Sequence, residues 1–362
     1  MSKPTVVVTA VGGGGNGEQI VKALRLGSLD YTIVGTDMSA YSKGLYEVDH
    51  SYRVPAASDP EYIGEITRIC KRHNAIALFH GSEPELRAFS EHRQTFEELG
   101  IFLPINQAHV IDLCMDKLRT SEFLAGQGFS VPRWERVSST QDLDAIDFFP
   151  AVLKPSVGGG GSINLFLAQT RAELATFGRY LLDLYPEFIV QEYVGTVDSE
   201  YTVGVLHTMD GVFVNSIAIR RHLGTAMSSR IRVRNQSERA ELGTSLVISS
   251  GFSHGDIGKF PEVTGACERI AKALDVRGTA NIQCRLVDGE VVVFEINPRF
   301  SGTTSLRAMV GYNEPDVLIR HHVFGDPVEA GFSYGEGTIL RGLSETLVDS
   351  AQMNAVQRTP AE

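Results

Sequence analysis

The chain lacks the features that mark several classes of protein. Its four cysteines are far apart in apolar runs, which predicts buried free thiols and excludes a disulfide framework or a cysteine-rich zinc site. No run approaches the roughly 18 consecutive apolar residues of a membrane span, and the first residues do not read as a signal peptide. We therefore expect a cytoplasmic protein that does not cross a membrane.

Positive charge is also scarce. The 362 residues carry 33 Lys and Arg against 44 Asp and Glu, a formal charge of −11. This balance disfavours a broad surface for nucleic acid or anionic membrane, so we expect small-molecule partners. Apolar residues make up 43%, enough for a core, and at roughly 100–200 residues per domain the length predicts two or three domains. The sequence leaves open whether the chain forms a homo-oligomer.

Short apolar runs alternate with amphipathic stretches in the first third. We predict strands at 6–11, 31–37, 75–81 and 100–104, with helices between them. Strand, helix and strand in this order indicate a parallel sheet with crossover helices. The sequence therefore predicts an α/β, Rossmann-like domain over residues 1–112.

The pattern changes after Asn106. Residues 106–128 have one continuous helical periodicity that ends at a glycine. We assign residues 113–190 to a small α+β lobe containing a glycine-rich loop, and residues 191–348 to a larger lobe with a second, largely antiparallel sheet. Residues 349–362 are predicted to be a polar, frayed tail.

The first glycine loop is ambiguous. Gly12, Gly14 and Gly17 fit G-x-G-x-x-G between a strand and a helix, and Asp37 lies 20 residues beyond Gly17. This spacing is typical of dinucleotide-binding domains, in which the acid binds a ribose hydroxyl. The alternative is a tight strand-to-helix turn in any Rossmann-like domain, so the loop by itself does not distinguish an NAD-binding oxidoreductase.

A second glycine loop follows Lys154, which lies in the strand-like run VLKPS. A lysine beside a loop rich in backbone N–H groups can clamp nucleotide phosphates, and the glycines allow the loop to close over them. The loop consists of Gly158, Gly159, Gly160, Gly161 and Ser162. A lysine on an edge strand before a hairpin is the alternative explanation.

Residues elsewhere extend this nucleotide hypothesis. Lys117 lies in a predicted helix, Gln191, Glu192, Tyr193 and Val194 end a strand, and Glu200 begins the next. A connector of that kind offers its backbone to an adenine, and a following carboxylate suits ribose hydroxyls. Further on, Gln283, Glu295 and Asn297 place oxygen-bearing side chains on two neighbouring strands. Hard oxygen ligands on one sheet face suit Mg²⁺, with Mn²⁺ as an alternative.

Taken in order, these residues resemble the ATP-grasp superfamily. The run from Glu295 through Pro298 to Arg299, together with Gln283, resembles its carbamoyl-phosphate-synthase-type branch. The resemblance covers about residues 1–345 and implies an ATP-grasp fold behind an N-terminal pre-ATP-grasp domain. It implies that Lys117 and Lys154 contact ATP phosphates, Glu192 and Val194 meet adenine, and Glu200 meets ribose. Gln283, Glu295 and Asn297 would bind magnesium, and Arg299 would face the transferred phosphate.

The sequence also departs from carbamoyl phosphate synthase, because it has one such set of residues, no second homologous half and no glutamine-hydrolysing domain. We therefore expect a stand-alone ATP-dependent ligase that activates a small carboxylate as an acyl phosphate and couples it to an amine. The alternatives are a small-molecule kinase of the same fold, an NAD-binding oxidoreductase and a non-catalytic nucleotide-binding protein.

Substrate recognition is predicted from arginines. Arg230, Arg232 and Arg234 alternate on one face of a predicted strand in an acidic protein, which indicates an anionic partner or a solvated face. We expect at least one of the three, Arg230 first and then Arg232, to contact an anionic group of the substrate. Arg307, eight residues after Arg299, is a further candidate for gripping a carboxylate. The adjacent His321 and His322 are expected to be structural.

Overall fold

The computed structural model describes residues 3–158 and 163–358. Its N-terminal part is a parallel sheet covered by helices. The strands are β1 (Thr5–Val8), β2 (Thr32–Asp37), β3 (His50–Arg53) and β4 (Ala77–Phe79); the helices are α1 (Asn16–Arg25), α2 (Tyr62–Arg72), α3 (Glu83–Glu91), α4 (Arg93–Glu97) and α5 (Ala108–Cys114). The parallel pairing of β1 with β2 and β4 and of β2 with β3 confirms the α/β prediction for this region.

The predicted strand at 100–104 is wrong. Only Phe102 pairs with the sheet, through an isolated parallel bridge to Ala77. The backbone N–H of Phe102 donates to Ile76, and its carbonyl accepts from Leu78. Pro104 follows two residues later and has no N–H to donate, so the run does not continue as a strand.

The predicted helix over 106–128 is two helices. The second, α6 (Lys117–Gly126), begins after Asp116, whose carboxylate accepts the backbone N–H groups of Leu118 and Arg119. This N-cap ends the continuity with α5, because Asp116 has an extended backbone. As a result Lys117 is at the first turn of a helix.

The small lobe is a four-stranded antiparallel sheet with two helices against it. Its elements are β5 (Trp134–Val137), α7 (Thr140–Asp144), β6 (Ala151–Pro155), β7 (Phe166–Ala168), α8 (Arg171–Leu184) and β8 (Phe188–Glu192), with strand order β5-β8-β6-β7. Leu153, Leu174 and Phe188 are among the residues of its separate apolar core.

The large lobe is built on a six-stranded sheet of order β15-β14-β9-β10-β13-β16. Its elements are β9 (Glu200–His207), β10 (Phe213–Arg221), β13 (Gly255–Gly258), α9 (Pro261–Ala273), β14 (Thr279–Val287), β15 (Glu290–Asn297), α10 (Thr304–Met309), α11 (Glu314–His322) and β16 (Gly337–Ile339). A separate hairpin, β11 (Ser229–Arg234) and β12 (Ser245–Ser249), packs Ile231 and Leu246 against Leu167 of the small lobe. The pairings within the six-stranded sheet are antiparallel, as expected.

The end of the chain differs from the predicted frayed tail. Residues Ser350–Ala355 form a capped helix, α12, and β17 (Gln357–Arg358) pairs in parallel with β3 at the edge of the N-terminal sheet. Val356 packs against the core that the N-terminal sheet shares with the large lobe. Tertiary pairing therefore orders a segment whose composition is polar. Among the described residues, no helix is long and apolar enough to cross a membrane.

Candidate active site

One face of the large sheet forms the floor of a cavity of about 760 Å³. The cross-strand register sets Gln283 opposite both Thr202 and Glu295, and Asn281 opposite Asn297. These side chains line the same cavity because residues two apart on a strand share a face. The sheet thus brings together all three residues predicted as metal ligands.

The proposed metal ligands are chemically suited to a hard cation. Gln283 and Glu295 are direct cross-strand neighbours, and Asn297 donates from Nδ2 to Oε1 of Glu295 at 3.1 Å. One carboxylate and two amide oxygens are hard donors of the kind that Mg²⁺ accepts alongside water and phosphate. The residues present therefore fit the predicted ion.

Lys154 reaches the floor from β6 of the small lobe. Its side chain is buried, and Nζ donates to the backbone oxygen of Phe294 at 3.0 Å. Burial is the main reason that the pKa of Lys154 falls from its ordinary value of 10.5 to about 8; Lys117 lowers it further, while Glu295 opposes the shift. The ammonium is thus a cation beside the metal-binding face, and no carboxylate of the described residues is bonded directly to it.

The start of the second glycine loop is fastened to α6. Ser156 donates from Oγ to the Asp116 carboxylate at 2.6 Å, and the backbone N–H of Lys117 donates to the Ser156 carbonyl at 3.0 Å. Lys117 and Gly158 line the cavity. The remaining loop residues of the prediction, Gly159, Gly160, Gly161 and Ser162, lie outside the described residues.

The connector between the lobes forms another wall. Gln191, Glu192, Tyr193 and Val194 all line the cavity. Glu192 forms an ion pair with Arg239, and the Tyr193 hydroxyl donates to the Val247 carbonyl at 3.2 Å while accepting from its N–H at 2.9 Å. These contacts hold the connector against the β11–β12 hairpin. The segment is placed as the nucleotide hypothesis requires, although its contact with adenine stays a prediction.

Glu200 lines the same cavity, but its carboxylate is buried. It is 2% exposed and pairs with Arg221 and Arg285, each at 3.0 Å. Burial opposes ionisation of Glu200, but the two guanidinium groups bring its pKa below the ordinary value. Both carboxylate oxygens of Glu200 already accept hydrogen bonds from arginine. Its contact with a ribose stays a prediction.

Arg299 joins the metal-binding face to the N-terminal domain. Its Nη2 donates to Asn297 Oδ1 at 2.9 Å and to Glu83 Oε1 at 2.8 Å. Burial would raise the pKa of Glu83, but Arg299 lowers it below its ordinary value. Arg299 lines the cavity next to the predicted metal ligands, where a positive charge can stabilise a transferred phosphoryl group.

The first glycine loop faces this cavity too. Gly13, Gly14, Gly15 and Asn16 are among its lining residues. Asp37 accepts the backbone N–H groups of Gly12 and Ser39, both at 3.0 Å, so its carboxylate fastens the loop. The loop thus lines the shared cavity, whereas Asp37 is not among the described residues that line it, so the structure does not support the alternative in which Asp37 binds the ribose of NAD.

The placement of Arg307 does not support the prediction that it grips a substrate carboxylate. Its side chain is 0% exposed and pairs with Glu314 at 3.1 Å and with Asn281 Oδ1 at 2.6 Å. It packs over Gly204, where a Cβ atom would lie 2.4 Å from the guanidinium. Sequence spacing after Arg299 did not reveal that α10 buries this arginine against the cavity face of the sheet, beside Asn281.

The arginine face of β11 lies elsewhere. Within the described part of the chain, none of Arg230, Arg232 and Arg234 lines the cavity, and all three are exposed. The alternate residues Ile231 and Val233 take the other face, and Ile231 packs against the apolar contact with the small lobe. Arg230 and Arg232 as substrate contacts stay a prediction that their placement does not support.

The sequence analysis assigned neither Arg221 nor Arg285 to the nucleotide site. Arg221 and Arg285 are buried and line the cavity beside Glu200. Arg285 follows Gln283 by two residues, so strand alternation had already placed it on the metal-binding face. Arg221 ends its strand, and only tertiary pairing places it next to Glu200.

A cluster outside the cavity has metal-binding residue types. Asp210, His321 and His322 each offer a ligand atom within 4.8 Å of the others. However, His322 Nε2 accepts the backbone N–H of Met209 at 2.9 Å, and His321 Nδ1 bonds the Asp326 carbonyl. One ring nitrogen of each histidine is therefore engaged by the backbone, which agrees with the structural role expected for these histidines.

Comparison with known proteins supports the ATP-grasp fold that the sequence predicts. Residues 9–104 match the family model "PylC-like, N-terminal domain", and residues 185–333 match "ATP-grasp in the biosynthetic pathway with Ter operon". The carbamoyl phosphate synthase large chain of Brucella melitensis biotype 1 is 26% identical over 336 residues, 86% of this chain. The match spans only 28% of that relative's length.

Solved structures share the fold. The ADP complex of an N5-carboxyaminoimidazole ribonucleotide synthetase superposes with a TM-score of 0.61 at 16% identity, covering 88% of this chain and 76% of the other. An L-amino acid ligase from Bacillus licheniformis gives 0.60 at 16% identity, covering 89% and 74%. The predicted fold class is thereby confirmed. The chain carries an ATP-grasp domain behind a PylC-like N-terminal domain, and it is homologous to carbamoyl phosphate synthase large chains and other ATP-grasp ligases.

Proposed function

We propose that the protein is an ATP-dependent ligase that joins a small-molecule carboxylate to an amine. The observation that carries the proposal is the shared cavity: the buried Lys154, the oxygen ligands on β14 and β15, and the N-terminal glycine loop all line it. The cavity has one half that binds phosphate and a separate half formed by the N-terminal domain. It therefore has room for a nucleotide and a second reactant. The homology to ATP-grasp ligases supports this chemistry.

The reaction proceeds in two steps. A carboxylate oxygen attacks the γ-phosphate, which gives an acyl phosphate and ADP. The amine then attacks the acyl carbon and expels phosphate, which forms the amide. Activation is needed because an amine and a free carboxylate form a salt, whereas phosphate is a good leaving group.

Fixed positive charges on this chain stabilise the phosphoryl transfer. Lys154 and Lys117 hold the nucleotide phosphates. Arg299 faces the phosphoryl group during its transfer and is held in place by Glu83 and Asn297. Because these groups are already positioned, they need no reorganisation as charge develops. Arg299 and Lys154 are the residues we assign to catalysis.

Gln283, Glu295 and Asn297 would hold Mg²⁺, or Mn²⁺ in its place. When bound, the ion would neutralise negative charge on the phosphate oxygens. Adenine would lie along the connector 191–194, against Glu192 and Val194, with the apolar Ile248 and Val152 lining the same part of the cavity.

The test is an ADP-release screen with Mg²⁺ and ATP, run against carboxylic acids with and without pools of amines. The test variant is Glu295→Gln, and Glu290→Gln is its matched control. Both residues lie on β15, but of the two only Glu295 lines the cavity. We expect release that needs both substrates and disappears in the Glu295 variant alone. Release with a carboxylate alone and a stable phosphorylated product would instead identify a kinase. A wild type that does not bind MgADP would refute the proposal.

A further inference from the structure

Three buried charges form a row across adjacent strands at one end of the cavity floor. Arg221 ends β10, Glu200 begins β9, and Arg285 is the cross-strand partner of Glu200 on β14. Their side chains are at most 5% exposed. We call these three residues the ionic hub.

Glu200 is the acceptor for both arginines. Arg221 Nη1 donates to Oε1 at 3.0 Å, while Arg285 donates to Oε2 from Nη2 at 3.0 Å and from Nε at 3.3 Å. The carboxylate therefore orients both guanidinium planes. Such fork geometry fixes direction as well as charge.

The remaining arginine donors bind three wall segments of the cavity. Arg285 donates to the carbonyls of Val194, at 2.8 Å, and Val247, at 2.9 Å, and its guanidinium lies 4.4 Å from the Tyr193 ring. Arg221 donates to the Ser250 carbonyl at 2.6 Å. The connector, the β12 strand and the loop after it are thus all attached to the floor through one carboxylate.

Resting on the proposed function, we infer that Arg221 and Arg285 are positioning residues of the nucleotide site, which hold its walls in the binding geometry through Glu200. The hub carries two positive charges and one negative charge, so it also leaves a net positive charge inside the cavity. Unlike Lys154, neither arginine acts here on the reacting atoms.

The charge balance of the hub gives the inference a distinctive signature. Arg221→Met leaves a neutral pair, but Glu200→Gln leaves two neighbouring buried cations that repel one another. Removing Arg221 should therefore lower the melting temperature of the wild type but raise that of the Glu200→Gln variant. A side chain that merely fills space would lower it in both backgrounds.

The experiment measures MgADP affinity by calorimetry, at a temperature at which each variant is folded. We expect Arg221→Met and Arg285→Met to bind at least tenfold more weakly than the wild type, and Arg221→Lys to fall between. Arg220→Met is the matched control, since Arg220 is the preceding residue of the same strand but is exposed and pairs with Asp256. Its affinity should stay within twofold of the wild type.

The inference is overturned if folded Arg221→Met and Arg285→Met both bind MgADP within twofold of the wild type, or if removing Arg221 lowers the melting temperature equally in both backgrounds. If the methionine variants do not fold, Arg221→Lys and Arg285→Lys decide by the same affinity criterion. A wild type that does not bind MgADP would instead overturn the proposed function together with this inference.

Discussion

Lys154 is placed to bind a ligand, but its burial lowers the stability of the ligand-free protein. Its ammonium is buried with no carboxylate of the described residues bonded to it, and burial lowers its pKa to about 8. Between about pH 8 and its ordinary value of 10.5, the unfolded chain binds more protons at this lysine than the folded chain does. Its burial therefore costs stability below pH 8, and the cost disappears as the pH rises through that window.

We expect Lys154→Met to raise the unfolding free energy of the nucleotide-free protein by on the order of 1–3 kcal/mol at pH 7. The gain should vanish near pH 10.5. Comparing the variant with the wild type cancels the opposite contribution of the buried thiols of Cys70 and Cys114, whose pKa values are raised to about 12. The same variant should bind MgATP more weakly. Chemical denaturation at several pH values measures the first effect, and an equally stable or less stable variant at pH 7 would contradict it.

The oxygen ligands of the floor allow a second prediction. Glu295→Gln or Asn297→Ala should leave the fold intact but lower Mg²⁺-dependent ADP formation by about 10²-fold or more, since each removes an oxygen from the proposed metal site. Steady-state assays with circular dichroism as the folding control provide the measurement. Wild-type rates in both variants would exclude this metal site.

At the scale of elements, Asp116 links two structures that the sequence presents separately. It caps α6 and also accepts the Ser156 hydroxyl at the start of the glycine loop. The helix N-terminus and the loop are therefore fixed to one carboxylate, next to Lys117.

Ser156→Ala removes the loop contact and leaves the cap. We expect MgATP affinity to fall several-fold while the unfolding free energy changes by about 1 kcal/mol or less. Thr170→Ala is the control, because it removes the capping box of α8 in the same lobe and should cost about 1 kcal/mol without changing affinity. Calorimetry and thermal unfolding separate the two effects; equal affinities for the wild type and Ser156→Ala would show that the contact does not position the loop.

Over the whole molecule, the N-terminal domain and the large lobe share one core. Phe79 of the parallel sheet packs edge-on against Phe300, with ring centroids 5.5 Å apart. Polar contacts reinforce the interface: Asp316 on α11 accepts the Tyr31 hydroxyl at 2.8 Å and the Ser28 hydroxyl at 2.7 Å. The two parts are therefore expected to unfold together.

We predict that Asp316→Ala lowers the unfolding free energy by about 2–3 kcal/mol, because it leaves the buried Tyr31 hydroxyl without an acceptor. Asp326→Ala, which removes a half-exposed ion pair with Arg320, should cost no more than about 1 kcal/mol. Scanning calorimetry of both variants provides the test. Equal losses, or separate transitions for the two parts in the wild type, would contradict a shared interface.

Much of the fold could be predicted because its signals are local. Alternating apolar runs predicted the parallel N-terminal sheet, and strand periodicity placed Glu295 and Asn297 on one face, where the structure has them. Asp116 shows the limit of such signals. The helical periodicity continues through it, but its capping hydrogen bonds divide the helix in two.

The sequence by itself determined which chemical groups are available: two lysines, oxygen ligands two residues apart, and two glycine loops. Only the tertiary structure decided which of them meet, because burial and cross-strand register depend on residues far apart in the chain. It buried Arg307 in an ion pair with Glu314, left Arg230 exposed, and brought Arg221 to Glu200. It also brought Gly13, Gly14 and Gly15 to the cavity, whereas the Asp37 carboxylate, which spacing assigns to a ribose, accepts the backbone N–H of Gly12.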